Sequence, residues 1–324
     1  MNQIEVNMKN KKNIRVDPKG SFWSYFKRNY DMYLLLIPGL IFLFIFEYVP
    51  LYGIIIAFKE FNMFAGSSML DAVASSPWVG LKHFESIFQR DEIYQVITNT
   101  VLISFYKLVF LFPVPIITAI LLNELRIASY KKMLQTMLYL PHFLSWAVVS
   151  GLFVTILGST GIVNVVLEQL IGHKIMFLMD KSVFRSVLVV TDGWKEVGWS
   201  SILYLAAIVG IDQETYEAAT IDGANKFQRI CYITIPSLMP TIIMLFVLRI
   251  GKLLDAGFEQ IFIMYNPAVY DVADIIGTYV YRIGLGQLNL SLATAVGLFN
   301  AVIGFILTMT ANKVSRKLAG KSIW

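Results

Sequence analysis

Charge is scarce in this chain. Of its 324 residues 15% are Asp, Glu, Lys or Arg, 56% are hydrophobic, and mean hydropathy is +0.63. So little polar surface cannot cover a water-soluble globule, which excludes an ordinary soluble domain. A polytopic, bilayer-embedded, all-α protein is expected instead. Cysteine is almost missing: Cys231 is the only one. That excludes an intrachain disulfide and a cysteine-cluster metal site, and Cys231 reads as a small packing residue. His83, His142 and His173 are scattered, with no H-E-x-x-H. There is no G-x-S-x-G either. Enzyme chemistry therefore finds no foothold, and no metal or cofactor is expected on this chain. The net charge of +5 is spread between long apolar runs, so it forms no nucleic-acid-binding patch. No soluble domain, tandem repeat or low-complexity segment is visible. The first apolar run starts near Tyr33, holds Pro38 and Pro50 and lacks a small-x-small exit, so it reads as an uncleaved span, not a signal peptide.

What is present is hydropathy in blocks. Six spans of about 20 or more residues are expected near 33–58, 98–122, 134–157, 184–210, 237–258 and 291–312. All should be helices, because an open strand in lipid leaves backbone groups unpaired. Pro38, Pro113, Pro115 and Pro141 should bend or break theirs. This divides the chain into a basic arm with an interfacial helix (1–32), a six-span body (33–312) and a basic tail (313–324).

Lysine and arginine set the orientation. One side collects sixteen: Lys9, Lys11, Lys12, Arg15, Lys19, Lys27 and Arg28 in the arm, Arg126, Lys131 and Lys132 after span two, Lys226 and Arg229 after span four, and Lys313, Arg316, Lys317 and Lys321 in the tail. The other side has seven: Lys59, Lys82, Arg90, Lys174, Lys181, Arg185 and Arg282. Both termini are therefore expected in the cytoplasm. "GSFWSYFKRNYDMY" at 20–33 reads as an interfacial helix or a plain aromatic anchor. The long outer loop from 59 to about 97 carries "SPWVGLKHFESIF", expected to cap the bundle or to meet an extracytoplasmic partner.

One cytoplasmic stretch is not explained by hydropathy. "ETYEAATIDGANKFQRICYITIP" at 214–236 spends about 25 residues where a few would connect two spans. On a helix, Tyr216, Ala219 and Asp222 come near one another, as do Glu217 and Ala218 with Ile221 and Asp222. Ala218, Ala219 and Ala224 keep it thin, and Gly223 permits a sharp turn. A second short helix from Asn225 is expected to end or kink at Pro236. The result is a helical knob shaped for a socket on another protein.

"YEAATIDGANKFQRICYITIPSLMPT" resembles the cytoplasmic EAA loop of permease subunits of binding-protein-dependent ABC importers. Glu217, Ala218, Ala219, Gly223 and the 233–236 stretch match its pattern. "GWSSILYLAAIVGIDQETYEAA" and "NPAVYDVADIIGTYVYRIGL" are similar to the carbohydrate branch, within the maltose-permease-like superfamily and nearest to the permeases for oligosaccharides and polysaccharide fragments, a group related to alginate and pectin-fragment importers. With "SPWVGLKHFESIF" the likeness covers the chain from about residue 30.

The resemblance implies a type I ABC importer permease fold in a bacterial cytoplasmic membrane. It implies a second homologous permease, two cytoplasmic ATPase subunits that hold ATP and Mg, and an extracytoplasmic binding protein that delivers the sugar. Glu217, Ala218, Ala219, Asp222, Gly223 and Ala224, within a coupling loop at about 212–236, would meet an ATPase. ATP binding belongs to the partners. "SRKLAGKS" at 315–322 ends like a phosphate-binding loop, but Ser315 stands where a Gly is needed and a span, not a strand, precedes it.

Charges inside the spans mark a candidate path. Asp192, Lys195 and Glu196 lie mid-span, where each costs about 2.5–3.5 kcal/mol on insertion scales. Either Asp192 and Lys195 pair at i, i+3 as a structural clamp, or this stretch walls a wet cavity. In the second case Trp194, Gly198 and Ser201 form a sugar-contacting stripe, with Trp199 beside it. Arg249, Lys252, Asp255 and Glu259, spaced three, three and four apart with Gly257 among them, are expected on one face of span five. They form either an inter-helix ion network or, through Lys195 and Lys252, contacts to an acidic sugar. Ala293, Gly297 and Ala301 allow close packing of span six, against the partner permease or within the subunit. Asn300 beside them is a cavity hydrogen-bonder or interhelix glue.

Competing readings are an ABC permease for a non-sugar solute, an ion-coupled secondary transporter, and a membrane scaffold without transport. The secondary transporter predicts inverted repeats and paired broken helices, and the sequence shows neither. The scaffold predicts that the charged faces are dispensable.

Overall fold

The computed structural model describes residues 26–319. Lys9, Lys11, Lys12, Arg15, Lys19 and Lys321, and residues 20–25 of the expected interfacial helix, lie outside them. The chain forms two compact units, one ending at Gly53 and one beginning at Ile54. No strand occurs among the described residues beyond one isolated antiparallel bridge between Lys59 and Trp78.

In the first unit, helix α1 (Tyr30–Leu43) has Asp31 in its first turn and Pro38 inside it. None of its residues is buried. A helix apolar on every side has no face for water and is suited to lipid. Phe26 packs its ring on Tyr33 at 4.6 Å just before the span.

In the second unit, residues 59–90 fold back over one end of the bundle. The Lys59 carbonyl accepts from Ser291 Oγ at 2.7 Å and faces His83 Nε2 at 3.2 Å. Ile87 is buried and Phe84 packs on Phe58. This segment caps the helices, the first of its two expected roles.

Span two is α2 (Asp91–Leu111) followed by α3 (Pro113–Asn123), divided at Pro113 as its missing N–H dictates. Span three, expected over 134–157 with a bend or break at Pro141, does break there. Helix α4 (Ala128–Tyr139) gives way to a tight turn at Leu140–Phe143 around Pro141, and α5 (Trp146–Leu157) restarts from an N-cap at Ser145. A short helix α6 (Ile162–Ile171) follows.

Helix α7 (Lys181–Val209) is the scaffold of the bundle. Phe184, Val187, Leu188, Thr191, Asp192, Lys195, Gly198, Ser201, Tyr204, Leu205 and Ile208 are its buried residues, a three-four repeat on one stripe. A Cβ on Gly198 would stand 1.9 Å from the Leu138 carbonyl oxygen, so α4 crosses α7 backbone to backbone.

After α8 (Gln213–Ile221) and α9 (Lys226–Arg229), helix α10 (Ile235–Gly251) completes span five. Then come α11 (Phe258–Met264), α12 (Ile276–Tyr281) and the 30-residue α13 (Leu290–Ala319). The 266–276 segment is stitched to spans two and four. Asn99 Nδ2 donates to the Asp271 and Asp274 carbonyls at 3.0 and 3.1 Å, and Arg185 Nε to the Val272 carbonyl at 3.0 Å.

Five helical stretches among the described residues are long and apolar enough to cross a membrane: Tyr30–Phe58, Asp91–Asn123, Trp146–Ile171, Lys226–Gly251 and Leu290–Lys317. The expected fourth span, α7, has the length but carries Arg185, Asp192, Lys195 and Glu196.

Candidate coupling loop and charged cavity

The 212–236 stretch builds its knob by local hydrogen bonding. The Asp212 carboxylate caps α8 by accepting from the Glu214 N–H at 3.0 Å. At the other end Gly223 is left-handed, at φ +81°. The Ala224 N–H reaches the Ala219 carbonyl at 2.9 Å and the Gly223 N–H reaches Thr220 at 3.1 Å. That double closure is a Schellman end, which favours glycine at its pivot. Asn225 and Gln228 form a reciprocal capping box at 2.9 and 2.8 Å that starts α9.

The second helix of the knob does not stop at Pro236. It runs through a widened turn at Ile230–Thr234 directly into α10, with Pro236 in the first turn of that helix. The missing proline N–H thus falls where the ladder is already loosened. Tyr216 Oη and Thr234 Oγ1 lie 2.9 Å apart, Arg229 Nη1 donates to Thr220 Oγ1 at 2.9 Å, and Lys226 pairs with Glu124 at 3.4 Å. Glu217, Ala218, Asp222 and Gly223 are exposed, and Ala219 and Ala224 partly so. Ile221, Phe227 and Tyr232 stand out at 88, 74 and 78% exposure. Their exposure could not be read from the motif, which fixes the Glu, Ala and Gly positions and not the apolar residues between them.

A second constellation lies inside the bundle. A cavity of about 110 Å³ is lined by Ser104, Lys107, Asp192, Arg249, Lys252, Asp255 and Gly257, among others. Lys107 is buried and donates to the Ala256 carbonyl at 3.0 Å and to Gln260 Oε1 at 2.5 Å, with Asp192 at 3.7 Å. Gln260 in turn donates to the Leu188 carbonyl and Thr191 Oγ1. A Cβ on Gly257, itself at φ +86°, would meet Lys107 Nζ at 2.6 Å. Arg249 approaches Asp192 only at 3.9 Å.

Two expectations change here. Asp192 and Lys195 do not pair. Asp192 faces Lys107 and Arg249, while Lys195 donates to the His142 carbonyl at 2.6 Å and pairs with Glu196 at 3.3 Å. Nor do Arg249, Lys252, Asp255 and Glu259 share one helix face: α10 ends at Gly251, and Ala256 and Gly257 are left-handed. The break folds the chain back, so Arg249, Lys252 and Asp255 still line one cavity, without Glu259.

The predicted stripe on α7 also divides. Gly198 and Ser201 are buried at the crossing with α4, and Ser201 Oγ donates to the Gly198 carbonyl at 2.6 Å. Trp194 packs edge-on against Phe153 at 5.5 Å. Trp199 instead stacks on His142 at 4.4 Å, and His142 Nδ1 lies 2.8 Å from Glu196. Trp199 lines a larger cavity of about 510 Å³ with Glu196, Tyr204, Asp192, Arg249 and Lys252. Asn300 Oδ1 on α13 is buried without a hydrogen-bond partner among the described residues. Lys107, Ser104, Gln260 and His142 escaped sequence reasoning. The one legible signal was Lys107, a single cation in the apolar run "SFYKLVF".

Residues 96–320 match the family model described as binding-protein-dependent transport system inner membrane component. The chain belongs to this family. It is a membrane-spanning permease subunit of an ABC importer. It is 44% identical to LplB of Bacillus subtilis (strain 168), over 92% of this chain and 93% of that protein. It is 41% identical to the polygalacturonan/rhamnogalacturonan transport system permease protein YteP of the same organism, over 90% of each. Among solved structures it is similar to a chain of a bacterial ABC transporter involved in import of the acidic polysaccharide alginate, at 40% identity and TM-score 0.83 over 92% of this chain and 99% of that one. In the alginate transporter complexed with a pentasaccharide-bound periplasmic protein, the likeness is 39% identity and TM-score 0.84 over 93% and 99%.

Proposed function

We propose that this permease moves oligosaccharides, fragments of a polysaccharide, inward across the cytoplasmic membrane by alternating access. It pairs with a second, similar permease. Two cytoplasmic ATPase subunits hold ATP and Mg and drive it, and an extracytoplasmic binding protein delivers the sugar. Both termini and the 212–236 loop face the cytoplasm, as the distribution of Lys and Arg favours.

The observation that carries this reading is the helical stretch Lys226–Gly251, which joins the two constellations. Its first turn is the second helix of the knob, and Arg249 near its last turn reaches the charged cavity. A helix of 26 residues is about 39 Å long, long enough to carry a push at one membrane face to a site across the bilayer. The substrate class follows that of the similar proteins, which serve polygalacturonan/rhamnogalacturonan transport and alginate import.

Purification of the tagged permease from its native host tests the reading. A P-loop ATPase and a second permease should co-purify, and vesicles holding the complex should take up oligosaccharide only with ATP inside and binding protein outside. ATP-independent uptake, or a solitary permease that transports, contradicts it.

A further inference from the structure

We propose that the 110 Å³ cavity is a carboxylate subsite: Arg249 and Lys252, with the Ser104 hydroxyl, hold one carboxylate of a sugar-acid residue in the transported chain. The proposal rests on the oligosaccharide reading and names the chemistry that this one cavity selects.

Charge is the first argument. The lining carries three formal cations, Lys107, Arg249 and Lys252, and two carboxylates, Asp192 and Asp255. Lys107 and Asp192 are buried, whereas Arg249, Lys252 and Asp255 are exposed, so the excess positive charge faces whatever enters the cavity and can be compensated by it. A bound anion does so.

The second argument is which cations are already engaged. Lys107 is held by the Ala256 carbonyl, Gln260 and Asp192. Lys195, the lysine expected to meet an acidic sugar, is buried, held by the His142 carbonyl and neutralised by Glu196. Lys252 has no hydrogen-bond or ion-pair partner for its ammonium among the described residues, and Arg249 has only the loose approach to Asp192 at 3.9 Å. A guanidinium and an ammonium left open on one cavity wall suit a carboxylate, which accepts from both.

The third argument is independent of charge. Ser104 is 5% exposed, lines the cavity, and its Oγ has no hydrogen-bond partner among the described residues. A buried hydroxyl without a partner marks a place where something polar belongs.

Size limits the occupant. About 110 Å³ holds a few waters or one carboxylate, not a sugar ring. The ring has room next door: Asp192, Arg249 and Lys252 also line the 510 Å³ cavity, whose wall includes Trp199 and Tyr204. An indole face suits sugar C–H groups, and Glu196 there accepts from hydroxyls.

The test uses the full importer in vesicles with its binding protein. Substrates are oligogalacturonate and oligoalginate of three to five residues, each beside its carboxyl-reduced, neutral counterpart of equal length. Wild type should transport at least one acidic sugar about tenfold better than its neutral form, the worth of one charge-assisted hydrogen bond. Lys252→Gln and Arg249→Gln should erase that preference, and Lys252→Arg should keep it. Lys313→Gln, which removes a cation from the far end of α13, should leave it intact. Equal transport of acidic and neutral forms by wild type, or an undiminished preference in both glutamine variants, overturns the subsite and leaves oligosaccharide import standing. Transport of none of these sugars overturns the oligosaccharide reading and the subsite with it.

Discussion

Lys107 on α2 and Asp192 on α7 face each other at 3.7 Å inside the bundle, and both side chains are nearly closed to solvent. Their helices are also joined by apolar packing, with Ile103, Phe184, Val187 and Leu188 in one cluster, and by a hydrogen bond from Arg185 Nη2 to Asn99 Oδ1 at 2.8 Å. Lys107 is compensated there by Asp192, Gln260 and the Ala256 carbonyl, and Asp192 by Lys107 with Arg249 more loosely at 3.9 Å.

Removing one member of the pair should therefore harm more than removing both. Asp192→Leu leaves Lys107 short of its counter-charge and is expected to cost about 3–5 kcal/mol, and Lys107→Met similarly. The double variant should be more stable than the sum of the single losses allows. Thermal unfolding of the purified complex, read as a double-mutant cycle, checks this. Additive losses would mean that the two charges do not compensate each other.

The backbone crossing of α4 and α7 yields a steric prediction. Gly198→Ala drives a methyl to within 1.9 Å of the Leu138 carbonyl oxygen, and a carbonyl cannot rotate away as a side chain can. The cost is expected at or above the upper end of about 1–3 kcal/mol for overpacking. Gly151→Ala on α5 meets nothing within 4 Å and should leave the melting temperature unchanged. Equal melting temperatures for the two variants would mean that the helices do not approach this closely.

The Tyr216–Thr234 contact ties the knob to the base of span five. Tyr216→Phe deletes one hydrogen bond without changing shape. About 1 kcal/mol of coupling is at stake, roughly a fivefold change in an equilibrium. The expected phenotype is an ATPase that still binds but is stimulated less by loaded binding protein. ATPase rates with and without binding protein measure it, and unchanged stimulation would show that the contact transmits nothing.

Much of this was legible in the residues themselves. On α7 the expected Trp194, Gly198 and Ser201 stripe was half readable: Gly198 and Ser201 share the buried three-four repeat with Asp192 and Lys195, and Trp194 falls outside it. The Gly223 pivot was readable because few other residues accept φ +81°. Two things were hidden. Side-chain partners depend on neighbouring helices: Lys195 turned to the His142 carbonyl, a group created by the break at Pro141. The end of α10 at Gly251 was masked by a sequence that continues with helical spacing through Asp255 and Glu259. Only the left-handed Ala256–Gly257 pair reveals the turn, and a non-glycine at φ +52° has no sequence signature.

The central claim is that a separate ATPase drives this bundle through the 212–236 knob. ATP-dependent oligosaccharide uptake by vesicles containing the complete importer tests it most directly, comparing wild type with Gly223→Val and Glu217→Ala. Valine at a left-handed position costs about 1–2 kcal/mol or more and spoils the Schellman end. The expected result is loss of uptake in Gly223→Val and impaired uptake in Glu217→Ala, while both proteins still reach the membrane at wild-type levels. Wild-type ATP-driven uptake in both variants would contradict the claim.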